Sequence, residues 1–171
     1  YAPNNAVLIV AGDITAAQLK PLAEKYYGGI PAHDVPERFR PKEPVHSAPV
    51  RVTLRDGRVR QPSFRRSYLA PSYATAEGDE AYALDVLVQI LGAGATSRLY
   101  TSLVVDQGIA ASAGAWYWST ALDYGQVGLS ASPREGITLE QVEEASDAVV
   151  RELIENGISD EELTRAKENL I

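Results

Sequence analysis

Five prolines between residues 31 and 49 constrain most strongly how this chain can fold. They are Pro31, Pro36, Pro41, Pro44 and Pro49. Each proline lacks a backbone N–H donor and biases the residue before it towards extended backbone, so neither a helix nor a strand can continue through this stretch. We therefore predict a semi-extended linker over residues 31–49, between residues 1–30 and a second domain over residues 50–171.

In the part before the linker, the sequence pattern predicts one strand and one helix. Residues 6–11 form a continuous apolar run whose length favours a buried strand. Thr15 and Gln18 have the spacing of a capping box, which predicts a helix start, and Gly28 predicts its end. Pro21 implies either a kink in this helix or a helix that begins at the proline.

The part after the linker predicts the order strand, strand, helix, helix, strand, strand, helix, helix. The four strands are predicted over residues 50–55, 64–69, 110–120 and 125–131, with a hairpin-type turn at Asp56 and Gly57. The first helix ends at Gly92, and the second is capped by Thr96 or Ser97 and ends near Gly108. The last two begin at capping boxes, Thr138 with Gln141 and Ser159 with Glu162. This order predicts an α+β fold, a mostly antiparallel sheet with helices on one face.

Charge and cysteine content argue against several classes of protein. The chain has 23 acidic and 16 basic residues, a formal charge of -7, whereas nucleic-acid binders need a positive surface. Without cysteine it can form no disulfide and has no thiolate ligand or nucleophile. No apolar run approaches the ~20 residues of a membrane span. Both ends lie inside patterns, so we expect the chain to be part of a longer one.

A catalytic zinc site within these residues is not expected. Such a site takes about three histidine, cysteine or carboxylate ligands, commonly with two of them one helical turn apart. His33 and His46 are the only histidines, and both fall in the predicted linker. We interpret them as solvated linker residues.

Two other motifs have a plainer and a sharper interpretation. The loop from Gly92 to Ser97 could hold a phosphate before a helix, but it follows a helix and lacks the full glycine pattern, which favours a helix–helix corner. Six arginines near Phe64 and Tyr68 could bind single-stranded nucleic acid or face an acidic partner. We favour a third interpretation, in which they form the solvated face of a two-stranded ribbon. The arginines are Arg51, Arg55, Arg58, Arg60, Arg65 and Arg66.

Neighbouring carboxylates on the predicted helices are expected to face solvent. Glu143 and Glu144 diverge around one helix, as do Glu161 and Glu162 around the next. The acidic start of that last helix also complements its dipole.

Four segments in sequence resemble the M16 (pitrilysin/insulinase-like) zinc metallopeptidases of the bacterial type. Residues 1–13 resemble the family's Tyr-x-Pro-x-Asn strand that leads into Val-x-Gly-Asp, and residues 23–31 its helix end before a proline-rich linker. Residues 92–100 are similar to a Gly-Gly-Gly-x-Ser-Ser-Arg-Leu-Tyr corner, and residues 158–167 to a closing helix. The corner residues are Gly92, Gly94, Ser97, Arg98, Leu99 and Tyr100. We interpret Arg98 as a brace for the corner and Tyr100 as a packing residue rather than substrate contacts.

The resemblance implies a half-clamshell domain that lacks the catalytic metal. In this family zinc is held on an inverted His-x-x-Glu-His helix of the first domain, which would precede Tyr1. The resemblance therefore implies that residues 1–30 end a zinc-carrying domain and that residues 50–171 form most of the following non-catalytic one. No metal ligand is carried over to this chain, and zinc is expected only in the missing domain.

The resemblance also shows two substituted positions. Many M16 proteins place an arginine and a tyrosine, seven residues apart, after the Arg-Leu-Tyr corner, and these reach the substrate at the zinc site. The matching positions here are Val104 and Ala111, which cannot donate a strong hydrogen bond. The loss suggests that the parent protein is the zinc-carrying subunit of a pair.

The resulting hypothesis is a non-catalytic domain that forms a wall of the peptide-enclosing chamber of a zinc endopeptidase. The fragment alone is expected to be inactive, and the expected partners are a peptide substrate and a paired subunit or second copy. The resemblance implies a periplasmic location in a Gram-negative bacterium. The alternatives are an inactive M16-like assembly subunit and, more weakly, a ferredoxin-like nucleic-acid module.

Overall fold

The structure is a computed structural model that describes residues 2–37, 39, 41 and 46–171. Tyr1, which opens the first family motif, and Pro44, one of the five linker prolines, lie outside these residues. The chain divides into two compact units, Tyr1–Val52 and Thr53–Ile171. The predicted linker bounds stay a prediction.

The described residues of the first unit form one α-helix. Helix α1, Ala16–Tyr27, begins at a complete capping box in which Thr15 and Gln18 each bond the other's backbone N–H. The helix therefore starts before Pro21, and the alternative start at that proline is wrong. A single 3-10 turn covers Pro3–Asn5, and the Asn4 side chain donates to the His33 carbonyl at 3.0 Å.

Two predicted strands are wrong. Residues 6–11 and 50–55 are extended or irregular, and neither joins a ladder in the described part of the chain. Val7 is 86 % and Val52 87 % exposed, so the apolar side chains that suggested burial face solvent. A strand is held by hydrogen bonds to a neighbour, and an apolar pattern cannot supply that neighbour. The turn at Asp56 does form, with the Val59 N–H donating to its carbonyl, but it joins no hairpin.

The second unit is built on a three-stranded antiparallel sheet in the order β1-β3-β2. Strand β1 is Phe64–Ala70, β2 is Ala110–Tyr117 and β3 is Gly125–Pro133. β2 ends three residues earlier than predicted, and β3 ends two residues later. β3 is central, paired with β1 from Phe64↔Ala131 to Ala70↔Gly125 and with β2 on its other side.

Four helices accompany the sheet. Helix α2 is Glu80–Gly92, the short α3 is Arg98–Tyr100 and continues as a π-helical segment Thr101–Asp106, α4 is Leu139–Asn156 and α5 is Asp160–Leu170. Both predicted capping boxes are present at the starts of α4 and α5. The predicted cap of α3 is wrong in detail, because the Ser97 hydroxyl donates to the Gly94 carbonyl at 2.7 Å and caps no helical N–H.

One apolar core joins the helices to one face of the sheet, which confirms the predicted α+β class. Leu103 in the π-helical segment and Val142 in α4 are completely buried in it. The core consists of Leu91, Leu99, Leu103, Ala110, Leu129, Ala131, Val142, Val149 and Leu153. Burying a side chain of this size contributes about 1.5–3 kcal/mol, so the core stabilises the corner between α2 and α3 that it contains.

Candidate functional site

The corner between α2 and α3 begins with a glycine that the sheet requires. A Cβ added at Gly92 would lie 1.9 Å from the Ala115 nitrogen and 2.6 Å from the Gly114 carbonyl carbon, both in β2. The left-handed backbone that favours glycine occurs two residues later, at Gly94, where φ is +85°. Gly92 thus brings α2 against β2, and Gly94 turns the chain away from the helix.

Arg98 links this corner to the turn between α4 and α5. Its Nε donates to Glu162 Oε1 at 2.7 Å, and its Nη2 donates to Glu162 Oε2 at 2.8 Å and to the Gly157 carbonyl at 2.8 Å. Glu162 Oε2 also accepts from the Ser159 N–H at 2.9 Å, as part of the α5 capping box. The Arg98 guanidinium therefore binds both carboxylate oxygens of Glu162, 64 residues later in the sequence, and this contact fixes where α5 begins.

Leu99 and Tyr100 complete the corner motif. Leu99 is buried in the core, and Tyr100 is half-buried. Because the Arg98 guanidinium is occupied by Glu162 and by a carbonyl of its own chain, this geometry supports a positioning role for it. That Arg98 and Tyr100 do not contact a substrate stays a prediction.

The contact with Arg98 changes how the Glu162 carboxyl ionises. Its pKa falls from 4.5 to about 2, mainly because the Arg98 side chain hydrogen-bonds to the charged carboxylate, while partial burial acts in the opposite direction. The pKa of Arg98 is raised by the same hydrogen bond. Folding and ionisation of Glu162 are therefore coupled.

We expect Glu162→Gln to change how stability depends on pH. A carboxyl whose pKa is lower in the folded state stabilises the fold above its unfolded pKa of about 4.5, and this contribution is lost as the pH falls through about 2. The difference in the free energy of unfolding between the wild-type chain and the variant should be largest near neutral pH and shrink in acid. Urea titrations followed by tryptophan fluorescence measure it, with Glu168→Gln as an exposed control. A difference that is constant with pH would contradict the coupling.

The two substituted family positions lie just after the corner. Val104 is half-buried in the π-helical segment and packs against the core, and its carbonyl accepts from Arg134 Nη2 at 3.3 Å. Ala111 is exposed in β2, where the register between β2 and β3 shifts between Ala110 and Ser112. Neither side chain has a polar atom to present to a substrate.

Several arginines of the predicted cluster have partners within the chain. Arg66 donates from Nη2 to Glu143 Oε1 at 2.7 Å and from Nη1 to Asp147, and the contact with Asp147 is the main cause of its raised pKa. Arg58 holds Asp56 through two hydrogen bonds of 2.9 and 2.7 Å. These ion pairs weaken the nucleic-acid interpretation, because the charge is already matched by carboxylates.

The prediction that Glu143 and Glu162 face solvent is wrong. Glu143 binds Arg66, and Glu162 binds Arg98, and less than a fifth of each carboxylate side chain is exposed. The signal that could have indicated the first pair is the i, i+4 spacing of Glu143 and Asp147, which puts both carboxylates on one face of α4. No sequence signal pairs Glu162 with Arg98, because their contact depends on the tertiary fold.

The described residues do not fit a zinc ion. Nowhere among residues 2–37, 39, 41 and 46–171 do three or more histidine, cysteine or carboxylate side chains gather as a metal would require. The His33 backbone N–H donates to Asn4 Oδ1 at 3.2 Å. His46 also interacts with another group of the chain. A zinc site needs about three or four converging protein ligands, and the described residues provide no such group. Within the same residues, no helix combines the length and apolar character needed to cross a bilayer.

Comparison with known proteins places these features in a family. The family model described as "Peptidase M16 inactive domain" matches residues 1–170. No curated protein matches the chain.

Solved structures share the fold. A protease from Helicobacter pylori matches with a TM-score of 0.70 and 24 % identity, over 93 % of this chain and 38 % of that one. A peptidase M16 inactive domain from Pseudomonas fluorescens matches with a TM-score of 0.63 and 18 % identity, over 93 % and 37 %. The inactive peptidase domain of a candidate zinc protease from Bordetella parapertussis matches with a TM-score of 0.57 and 24 % identity, over 70 % and 62 %. The chain thus spans less than two thirds of each.

Proposed function

This chain belongs to the peptidase M16 inactive-domain family, and we propose that it forms a wall of the peptide-enclosing chamber of a zinc-dependent endopeptidase. In this role the domain contributes surface and shape, and peptide hydrolysis takes place on another domain. The observation that carries the proposal is this membership, together with the finding that the described residues contain no group of three or more potential zinc ligands.

Three features of the second unit support a role in substrate enclosure. The rigid corner at Gly92 and Arg98 fixes α2, α3 and α5 relative to the sheet. β1 is an edge strand of the three-stranded sheet, so one row of its backbone N–H and C=O groups is available for an extended peptide to join as a further strand. Val104 and Ala111 offer no hydrogen-bonding side chain at the two positions where the family resemblance implies an arginine and a tyrosine.

The replacement of the arginine–tyrosine pair by Val104 and Ala111 suggests how the whole protein is arranged. We propose that its zinc is bound in a domain that precedes the one formed by residues 50–171, and that a paired subunit or a second copy completes the chamber. The same reasoning favours the zinc-carrying subunit of a pair as the parent protein. A periplasmic site of action is part of this proposal.

A kinetic comparison on the whole parent protein tests the proposal. Removal of residues 50–171 is expected to reduce kcat/KM for peptide hydrolysis at least tenfold, because the enclosing wall positions the substrate, while zinc content stays unchanged. A point variant that leaves the domain in place, Glu168→Gln, is the control. Unchanged kcat/KM after the deletion would contradict a role of this domain in substrate enclosure.

A further inference from the structure

Two tyrosines and a carboxylate form a cluster beside the end of the sheet. Tyr73, in the loop after β1, places its ring centroid 5.4 Å from that of Tyr82 in α2. The Tyr73 hydroxyl donates to Asp85, one turn further along α2, and its N–H donates to the Ser119 carbonyl at 2.8 Å. The hydrogen bond to Asp85 is the main reason that the pKa of Tyr73 is raised. We call Tyr73, Tyr82 and Asp85 the tyrosine–acid cluster.

The aromatic rings of this cluster are exposed to solvent. Tyr82 is 61 % and Tyr73 47 % exposed. Trp118 and Tyr124, in the segment that joins β2 to β3, are each more than half exposed, and that segment is tied to Tyr73 through Ser119. Exposed tyrosine and tryptophan side chains are typical of binding sites, because they supply contact area with little loss of side-chain entropy.

The stretch of sequence that carries these rings is acidic. Residues 67–133 contain six acidic residues and a single basic one, Arg98. Arg98 is occupied by Glu162, so it does not neutralise the cluster. Burial chiefly raises the pKa of Tyr117, and the charges of Asp85 and Glu80 raise it further. Asp85 therefore places a negative charge beside the two tyrosine rings.

We propose that the tyrosine–acid cluster binds lysine or arginine side chains of an extended peptide. A cation is attracted to the face of a tyrosine ring, and nearby carboxylates add Coulomb attraction and accept its hydrogen bonds. The rigid Tyr73–Asp85 hydrogen bond holds one ring and one carboxylate in place before binding, which lowers the entropy cost. This inference does not depend on the proposed function, because it uses only the surface of the second unit.

Fluorescence anisotropy with the complete 171-residue chain tests it. The probe is a fluorescein-labelled peptide with three arginines separated by Gly-Ser, and the comparison probe carries three glutamates instead. We expect saturable binding of the arginine peptide that weakens as salt rises, and no binding of the glutamate peptide. Tyr82→Ala and Asp85→Asn should each raise the Kd by about threefold to tenfold, the range of an exposed cation–π or charge contact.

Glu168→Gln is the matched control, because it removes one negative charge from an exposed position in α5. It should change the Kd by less than about twofold. An equal loss in this control would mean that net charge alone attracts the peptide, which would overturn the proposal. Unchanged binding by both cluster variants, with far-UV circular dichroism showing them folded, would overturn it as well. Self-association that Tyr82→Ala abolishes, with no peptide binding, would assign the surface to a second copy and also overturn it.

Discussion

Gly92→Ala is expected to lower the free energy of unfolding of the chain by about 3 kcal/mol, at the upper end of the cost of overpacking. The added methyl carbon would stand 1.9 Å from the Ala115 nitrogen, where backbone atoms cannot move aside as a flexible side chain could. α2 must therefore shift away from β2, and Leu91 in the core moves with it. Urea unfolding followed by tryptophan fluorescence reports on this region, because Trp116 lies in β2 and Trp118 follows it.

Gly94→Ala is the comparison variant, because it tests the cost of a positive φ without any steric contact with β2. A Cβ at Gly94 would meet nothing within 4 Å, but its φ of +85° is unfavourable for alanine. This variant should lose about 1 kcal/mol, the usual cost of a left-handed non-glycine residue. If the two variants were equally stable, the contact between α2 and β2 at Gly92 would not be as close as the structure has it.

Arg98→Ala is the second large effect, an expected loss of about 2–3 kcal/mol in the free energy of unfolding. The substitution removes three hydrogen bonds and leaves the Glu162 carboxylate, only 18 % exposed, without its cationic partner. A partly buried charge that loses its partner costs more than the pair contributes, because its desolvation is no longer offset. The measurement is the urea midpoint at neutral pH, where Glu162 is charged in the wild-type chain.

Arg165→Ala is the control for Arg98→Ala. Its Nη1 lies 3.8 Å from Glu161 at i, i+4 spacing, and the Glu161 side chain is largely exposed. Such a pair contributes about 0.5 kcal/mol or less, so the control should unfold close to the wild-type midpoint. Equal losses in the two variants would show that Arg98 contributes no more than an ordinary surface arginine.

Local signals made much of the second unit predictable. The capping boxes at Thr138 and Ser159 are satisfied by residues three positions away, so the sequence alone indicates where α4 and α5 begin. The alternation and turn residues around β1, β2 and β3 likewise gave their positions, with errors at the ends. The strands predicted at residues 6–11 and 50–55 failed because pairing is not local, and the described residues provide no neighbouring strand for them.

The contacts of the candidate site were less accessible to sequence reasoning. The partner of Arg98 lies 64 residues away and those of Arg66 lie 77 and 81 residues away, distances at which spacing carries no information. Gly92 was predicted as a glycine that ends a helix. The structure requires glycine there because β2 approaches so closely, whereas the positive φ occurs at Gly94. The tyrosine–acid cluster likewise joins a loop to a helix, and only the fold brings Tyr73 to Tyr82.

Zinc binding by the purified 171-residue chain is the most direct measurement of the central claim, that this is a non-catalytic domain whose ligands cannot hold the metal. Isothermal titration with zinc, followed by metal analysis after dialysis, is expected to show far less than one tightly bound ion per chain, because two histidines and no cysteine offer too few converging donors. One zinc per chain, retained through dialysis and lost on substitution of His33 or His46, would contradict the account.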